Sequence, residues 1–201
     1  MIHEYALEPA VINSWERLQR VMSQFGFQTG RLIGRVPGKY RKAVLDALPD
    51  TLPDTERSKI AARLKDFEDS VMVARKHDWN GEHWLTNVLS QQANAPFRLI
   101  LCAADHEPPL VMAYKELDEF SPPAGWDADD GDVPRTPLEM AKRLRLVVQT
   151  AKRFIRIVDP NFHPASMRFR SVFVEICAHI RAAHEFRVST ELELHISDKC
   201  D

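Results

Sequence analysis

The sequence predicts an α/β protein in which a helical N-terminal region precedes a small mixed sheet with a βαβ unit. Two observations lead to this fold class. Apolar residues recur at helical spacing through much of residues 1–95, and short apolar runs of strand length appear after residue 96. The predicted organisation is therefore a mainly helical region at 1–95 and an α/β region at 96–201.

Four helices are expected in the N-terminal region, three at about residues 11–25, 38–48 and 55–68 and a fourth that ends before Pro96. In the first, third and fourth, apolar side chains recur every three or four residues and share one face. The first pattern stops at Gly26, a residue that commonly ends helices. The third begins at Asp54 or Thr55, which can cap a helix N-terminus. A loop or short strand is expected between the first two helices.

Two strands are expected next. Residues 97–105, FRLILCAAD, form a short apolar run between polar residues, which is typical of a buried strand. PPLVMAYKELD at 108–118 is expected to pair with it as an antiparallel hairpin across residues 106–109. The acidic, proline-rich stretch at about 119–137 contains few apolar residues, so we expect a linker there.

The remaining chain predicts a βαβ unit. A helix is expected over 137–153, with inward-facing apolar residues Leu138, Ala141, Leu144, Val147 and Val148. It leads into the strand FIRIVD at 154–159, a second helix after Pro164 and the strand STELELHIS at 189–197. Parallel pairing with a right-handed crossover is the default for strand–helix–strand order.

Composition and charge are those of an ordinary soluble globular protein, with 44% hydrophobic and 28% charged residues. The formal net charge of -2 argues against wholesale attraction to nucleic acid or to anionic membranes. Residues 1–20 lack the apolar segment of a secretory signal, and no run approaches the roughly 18 apolar residues of a membrane span. We therefore expect a cytoplasmic protein with no membrane association.

Cysteine usage and motif spacing predict neither a metal site nor a cofactor. Cys102, Cys177 and Cys200 lie far apart and are expected to be reduced thiols. The segment HDWNGEH at 77–83 has no spacing that would place two ligands on one helical face, which favours a polar turn. Glycine-rich nucleotide motifs and the nucleophilic-serine motif are absent from the sequence.

The end of the strand FIRIVD is the first candidate site. Ligands bind at the carboxyl ends of strands in open α/β sheets, and Asp159 stands at such an end. Pro160 cannot donate a ladder hydrogen bond, so pairing is expected to stop where the carboxylate emerges. Asp159 and His163 are therefore candidate catalytic residues that could orient a reacting group or each other. The alternative is that Asp-Pro only turns the chain and caps the next helix.

A basic segment is the second candidate site, for nucleic acid. Residues 31–42 contain two glycines, Tyr40 and five cations, Arg31, Arg35, Lys39, Arg41 and Lys42. Cationic side chains and glycine-rich backbone are the groups that contact phosphates. The alternative is a solvated basic loop, because Asp46 and Asp50 follow closely.

The segment AKRFIRIVDPNFHP, the following helix and ELELHIS resemble the first strand–helix–strand unit of phospholipase-D-like domains. In that family a strand ending in Asp-Pro-Tyr-Phe or similar precedes a helix and a further strand. The family's nucleophile and phosphate-binding lysine lie in the motif His-x-Lys-x4-Asp, whereas His195 and Lys199 are four residues apart and do not fit it. The resemblance implies an incomplete phospholipase-D-like domain in which Asp159 lies near the site without being the nucleophile.

The expected function is that of a non-catalytic or incomplete phospholipase-D-like protein that acts as an interaction subunit. Helical attachments of this kind resemble components of bacterial defence or mobile-element systems. The alternative is a phosphodiesterase or nuclease whose catalytic half lies beyond residue 201. A last strand with an open edge invites pairing with another chain, so a protein partner or homo-oligomer is expected. Nucleic acid is the further candidate partner.

Overall fold

The chain folds into two units in the computed structural model, unit 1 at Met1–Asp129 and unit 2 at Asp130–Asp201. The structure describes residues 2–75, 77–81, 83–106, 110–117, 121–126, 136–151, 154–158, 163, 166–184 and 191–195. The boundary between the units falls inside the stretch that the sequence predicts as a linker, and not near residue 95. The α/β class is as predicted.

Unit 1 is built on a parallel sheet of five strands. They are β1 (His3–Leu7), β2 (Arg31–Gly34), β3 (Met72–Val73), β4 (Ile100–Cys102) and β5 (Val111–Ala113). The strand order is β3-β2-β1-β4-β5, and every neighbouring pair is parallel. The chain therefore places β2 and β3 on one side of β1, and then β4 and β5 on its other side.

Helices cover both faces of this sheet. They are α1 (Trp15–Gln24), α2 (Tyr40–Ala47), α3 (Asp54–Val71) and α4 (Trp84–Ser90). Alternate residues of β1 belong to different buried clusters, since Tyr5 and Leu7 join side chains of α1, α2 and α3, whereas Ala6 joins Trp84 and Val88 of α4. Side chains alternate between the faces of a strand, so α1, α2 and α3 lie on one face and α4 on the other.

The four predicted helices are confirmed, and three strands of the unit 1 sheet lie among them. β1 and β3 were not expected, and β2 takes the place of the predicted loop or short strand. The sequence HEYAL does not indicate a buried strand, because a glutamate is expected to be exposed to solvent. In the structure Glu4 is buried against Arg75. β3 has two residues, which is too short for periodicity to show.

The predicted hairpin at 97–118 is wrong. β4 and β5 pair in parallel, with Ile100 opposite Val111 and Cys102 opposite Ala113. A short apolar run bounded by polar residues carries no information on strand direction. Of the predicted turn at 106–109, residues 107–109 lie outside the described part of the chain.

Residues 121–126, which lie inside the predicted linker, pack against unit 1. Trp126 is buried in unit 1, where its ring packs edge-to-face on Tyr5 and Phe25 at centroid distances of 5.6 and 5.5 Å. The hydroxyl of Tyr5 donates to the carbonyl of Trp126 at 3.0 Å. One aromatic side chain therefore anchors residues 121–126 to the sheet.

Unit 2 contains α5 (Pro137–Thr150), β6 (Phe154–Val158), α6 (Met167–His184) and β7 (Glu191–His195). β6 and β7 pair in parallel, with Arg156 opposite Glu193, so the predicted βαβ unit is confirmed. The predicted inward face of α5 is correct for Ala141 and Val148, which pack with Ile176 of α6. It is wrong for three residues, which are exposed: Leu138, Leu144 and Val147.

Candidate functional site

The carboxyl edge of the unit 1 sheet is the place where this topology positions functional groups. The strand order changes direction between β1 and β4, and ligands of open α/β sheets bind outside the carboxyl ends of the strands at such a switch point. Glu8 follows β1 there, Arg35 follows β2 and Ala103 follows β4.

Glu8 connects the two strands at the switch point. Its carboxylate oxygen Oε2 accepts a hydrogen bond from the backbone N–H of Ala103 at 2.7 Å, and its own N–H donates to the carbonyl of Leu101 at 2.9 Å. The sequence signal was available, because Leu7-Glu8-Pro9 repeats the pattern of apolar strand, acid and proline that drew attention to Asp159. Glu8 was missed because β1 was missed.

Two buried titratable groups lie close to Glu8. Burial, and then the charge of Glu8, raises the pKa of the Cys102 thiol to about 12. Burial, followed by the charges of Glu8 and Glu68, raises the pKa of Tyr40 well above its ordinary value, and the Tyr40 hydroxyl donates to the carbonyl of Leu7 at 3.0 Å. Both groups therefore remain protonated and act as neutral packing groups at this edge.

This state of Cys102 can be tested directly. In a variant with Cys177 and Cys200 replaced by serine, we expect the native thiol to be inert to a disulfide reagent at pH 8, because the thiolate is the reactive species. The same sample in urea should react completely. Reaction of the native protein at the rate of the unfolded sample would contradict the burial and the raised pKa.

Carboxylates of α3 occupy the N-termini of two helices of unit 1. The Oε1 atom of Glu56 accepts from the N–H of Trp15 at the start of α1, at 2.7 Å. The Oε1 atom of Glu68 accepts from the N–H of Arg41 in the first turn of α2, at 3.1 Å. Helix N-termini are common sites for phosphate groups. In this protein, carboxylates of α3 already accept hydrogen bonds from backbone N–H groups at these two helix N-termini.

The five predicted cations do not form one surface. Arg31 lies at the amino end of β2, where its Nε donates to the carbonyl of Gln24 at 2.9 Å and its guanidinium stacks 4.3 Å from the Trp126 ring centroid. Arg35 and Lys39 lie at the other end of β2, in the loop before α2. Arg41 and Lys42 are exposed on α2, and the Nζ of Lys42 pairs with Asp46 at 2.8 Å. Only Arg35 and Lys39 share a loop at the carboxyl edge.

The predicted pair Asp159 and His163 is only partly described. Asp159 lies outside the described residues. His163 is exposed, and its carbonyl accepts from the N–H of Ser166 at 2.9 Å just before α6. Whether the two side chains meet stays a prediction.

Sequence reasoning missed a charged cluster on the exposed face of the unit 2 sheet. The Nε of Arg156 lies 2.6 Å from Oε2 of Glu193, and Nε2 of His195 lies 3.2 Å from the same oxygen. Hydrogen bonds from Arg156 and then His195 lower the pKa of Glu193. The alternation of charged and apolar residues in FIRIV and ELELH was the available signal.

Within the described ranges, three or more histidine, cysteine, aspartate or glutamate side chains nowhere come together as a metal site would require. The helices in those ranges include none with the length and apolar character needed to cross a bilayer. Comparison with protein-family models, curated proteins and solved structures found no match.

Proposed function

We propose that this chain is an interaction subunit whose second unit binds a helix of another protein. The observation that carries the proposal is an exposed apolar stripe on α5. Met140, Leu144 and Val147 are 44%, 41% and 46% exposed. Contiguous exposed apolar surface on a soluble protein commonly marks a site of protein–protein contact.

The stripe has the geometry of a helix-binding seam. Its members are spaced i, i+4 and i+7, which at about 100° per residue places them within roughly 60° of one another on the helix. Ala141 and Val148 lie on the adjacent arc and pack with Ile176 of α6. α5 therefore uses one part of its apolar surface for unit 2 and leaves the other part uncovered.

The charges on α5 indicate the chemistry of the partner. Of the cations on α5, Arg143 lies beside the stripe, about 40° around the helix from Val147, whereas Lys142, which pairs with Glu139 at 2.7 Å, and Arg145 lie at least about 100° from every member of the stripe. An amphipathic partner helix with an acidic residue beside its apolar stripe would complement the positive charge of Arg143. Such flanking charges select partners in helix–helix interfaces.

The fold of unit 2 supports the proposed relation to phospholipase-D-like domains only at the level of order and direction. Its helix connects two parallel strands, as in the unit that the sequence resembles. The same order occurs in many folds, so the family relation and a role in bacterial defence or mobile-element systems belong to the proposal.

Two helical peptides with the same apolar stripe test the proposed function. Glutamates flank the stripe in one peptide and lysines flank it in the other, and binding is followed by fluorescence anisotropy. We expect the acidic peptide to bind at least about tenfold more tightly than the basic one, because of the charges on α5. Leu144→Ser should abolish this binding.

Leu138→Ser is the matched control, because Leu138 is also exposed on α5 but lies about 120° around the helix from Leu144. Its binding should be unchanged. Equal binding of the acidic peptide to the Leu144→Ser variant would contradict the proposal. A dimer of the chain that Leu144→Ser dissociates would show instead that a second copy covers the stripe.

A further inference from the structure

The strand β7 is an edge of the unit 2 sheet. All five of its residues pair with β6, from Glu191 opposite Phe154 to His195 opposite Val158, so the strand is regular and has no bulge. Among the described strands, β6 is its neighbour on one side and none lies on the other. The backbone N–H and C=O groups on that outer side are those with which a further strand would pair.

β7 lacks the features by which proteins usually protect a sheet edge. Protected edge strands are very short, or they carry lysine or proline. The edge strands of the unit 1 sheet, β3 and β5, have two and three residues, whereas β7 has five and contains neither lysine nor proline. The sequence of β7 is therefore suited to pairing with another strand.

The apolar layer of unit 2 is incomplete at this edge. Ile155 and Ile157 of β6 pack against the buried residues of α5 and α6. Leu194 is paired with Ile157 and lies on the same face of the sheet, yet it is 36% exposed. An apolar side chain from a further strand beside β7 would cover it.

We propose that β7 pairs with β7 of a second copy of this chain, so that two unit 2 sheets join into one sheet of four strands. A two-fold axis makes the two copies of β7 antiparallel. When all five residues pair, Glu191 lies opposite His195 of the second copy, and Leu192 lies opposite Leu194. The symmetry forms each of these contacts twice.

The charges of β7 complement those of a second copy. Glu191 and His195 are exposed at the two ends of the strand and lie on the same face. An imidazole donates to a carboxylate, and such cross-strand pairs stabilise a sheet. Glu193 faces its own counterpart on the axis, but the Nε of Arg156 lies 2.6 Å from its Oε2. The centre of the interface therefore contains two cations for two carboxylates.

Sedimentation velocity of the full chain, from micromolar to millimolar concentration, tests this pairing. We expect a monomer–dimer equilibrium. Glu191→Lys removes the acid opposite His195, and His195→Glu places an acid opposite Glu191. Each should weaken dimerisation about tenfold, because each dimer contains the altered pair twice. The double variant again places opposite charges across the interface, so it should recover the wild-type dissociation constant.

Leu144→Ser is the control, because it alters the stripe on α5 and leaves β7 unchanged. It should dimerise like the wild type, so this pairing and the proposed helix binding succeed or fail separately. A chain that stays monomeric at every concentration would overturn the proposal. So would a dimer that both single charge variants leave unchanged, a double variant no tighter than the single ones, or a dimer that Leu144→Ser dissociates.

Discussion

Replacing Arg75 with methionine is expected to lower the free energy of unfolding of unit 1 by about 3 to 5 kcal/mol. The Nε of Arg75 lies 3.1 Å from Oε1 of Glu4 on β1, and the two side chains are only 5% and 2% exposed. Removal of the guanidinium would break this buried ion pair. The disruption of this buried pair is the main source of the expected loss.

Arg75 also joins the two ends of the connection from β3 to β4. Its guanidinium stacks 3.8 Å from the ring centroid of Phe97, and its Nη2 donates to the carbonyl of Ala95. The crossover that carries α4 over the sheet begins after β3 and ends before β4. Loss of Arg75 should therefore loosen both ends of this crossover.

Urea unfolding followed by tryptophan fluorescence measures this effect in unit 1 alone, because all four tryptophans lie in unit 1: Trp15, Trp79, Trp84 and Trp126. Lys115→Met is the control, since its pair with Asp105 is exposed to solvent and its loss should leave the stability nearly unchanged. The double variant Glu4→Gln and Arg75→Met should recover part of the loss. A loss below about 1 kcal/mol in Arg75→Met would contradict the buried-pair interpretation.

The same ion pair explains why part of unit 1 was hidden from sequence reasoning. The helices were predictable because their apolar residues recur at a period that needs no knowledge of distant contacts, as in Ile60, Leu64 and Phe67 of α3. β1 was not, because Glu4 breaks its apolar pattern. Its partner, Arg75, is far away in the sequence, so burial of the carboxylate follows only from tertiary structure.

The candidate sites show the same difference between local patterns, which could be predicted, and tertiary arrangement, which could not. A βαβ order was enough to place a strand and a helix around Asp159 and His163. Five cations close in sequence suggested one surface, but β2 runs between Arg31 and Arg35 and carries them to opposite ends of the sheet. The switch point near Glu8 depends on the strand order of the whole sheet, which local patterns do not determine.

Gly34→Ala should destabilise unit 1 by at least about 3 kcal/mol. Gly34 ends β2 beside the Glu4–Arg75 pair. A Cβ added there would lie 2.5 Å from Oε1 of Glu4, 2.7 Å from Cε1 of Phe97 and 2.9 Å from Cδ of Arg75. All three are closer than van der Waals contact allows, so the new methyl group would force the buried pair apart or displace β2.

Gly38→Ala is the matched control for this substitution, because it adds the same methyl group four residues later, in open space. A glycine with ordinary backbone angles that becomes alanine reduces the conformational entropy of the unfolded chain. Its free energy of unfolding should therefore stay the same or rise by up to about 1 kcal/mol. Urea unfolding of both variants by tryptophan fluorescence gives the comparison. Equal stability of the two variants would show that the sheet accommodates a side chain at Gly34, and that Glu4 and Arg75 are not held as tightly as their distances indicate.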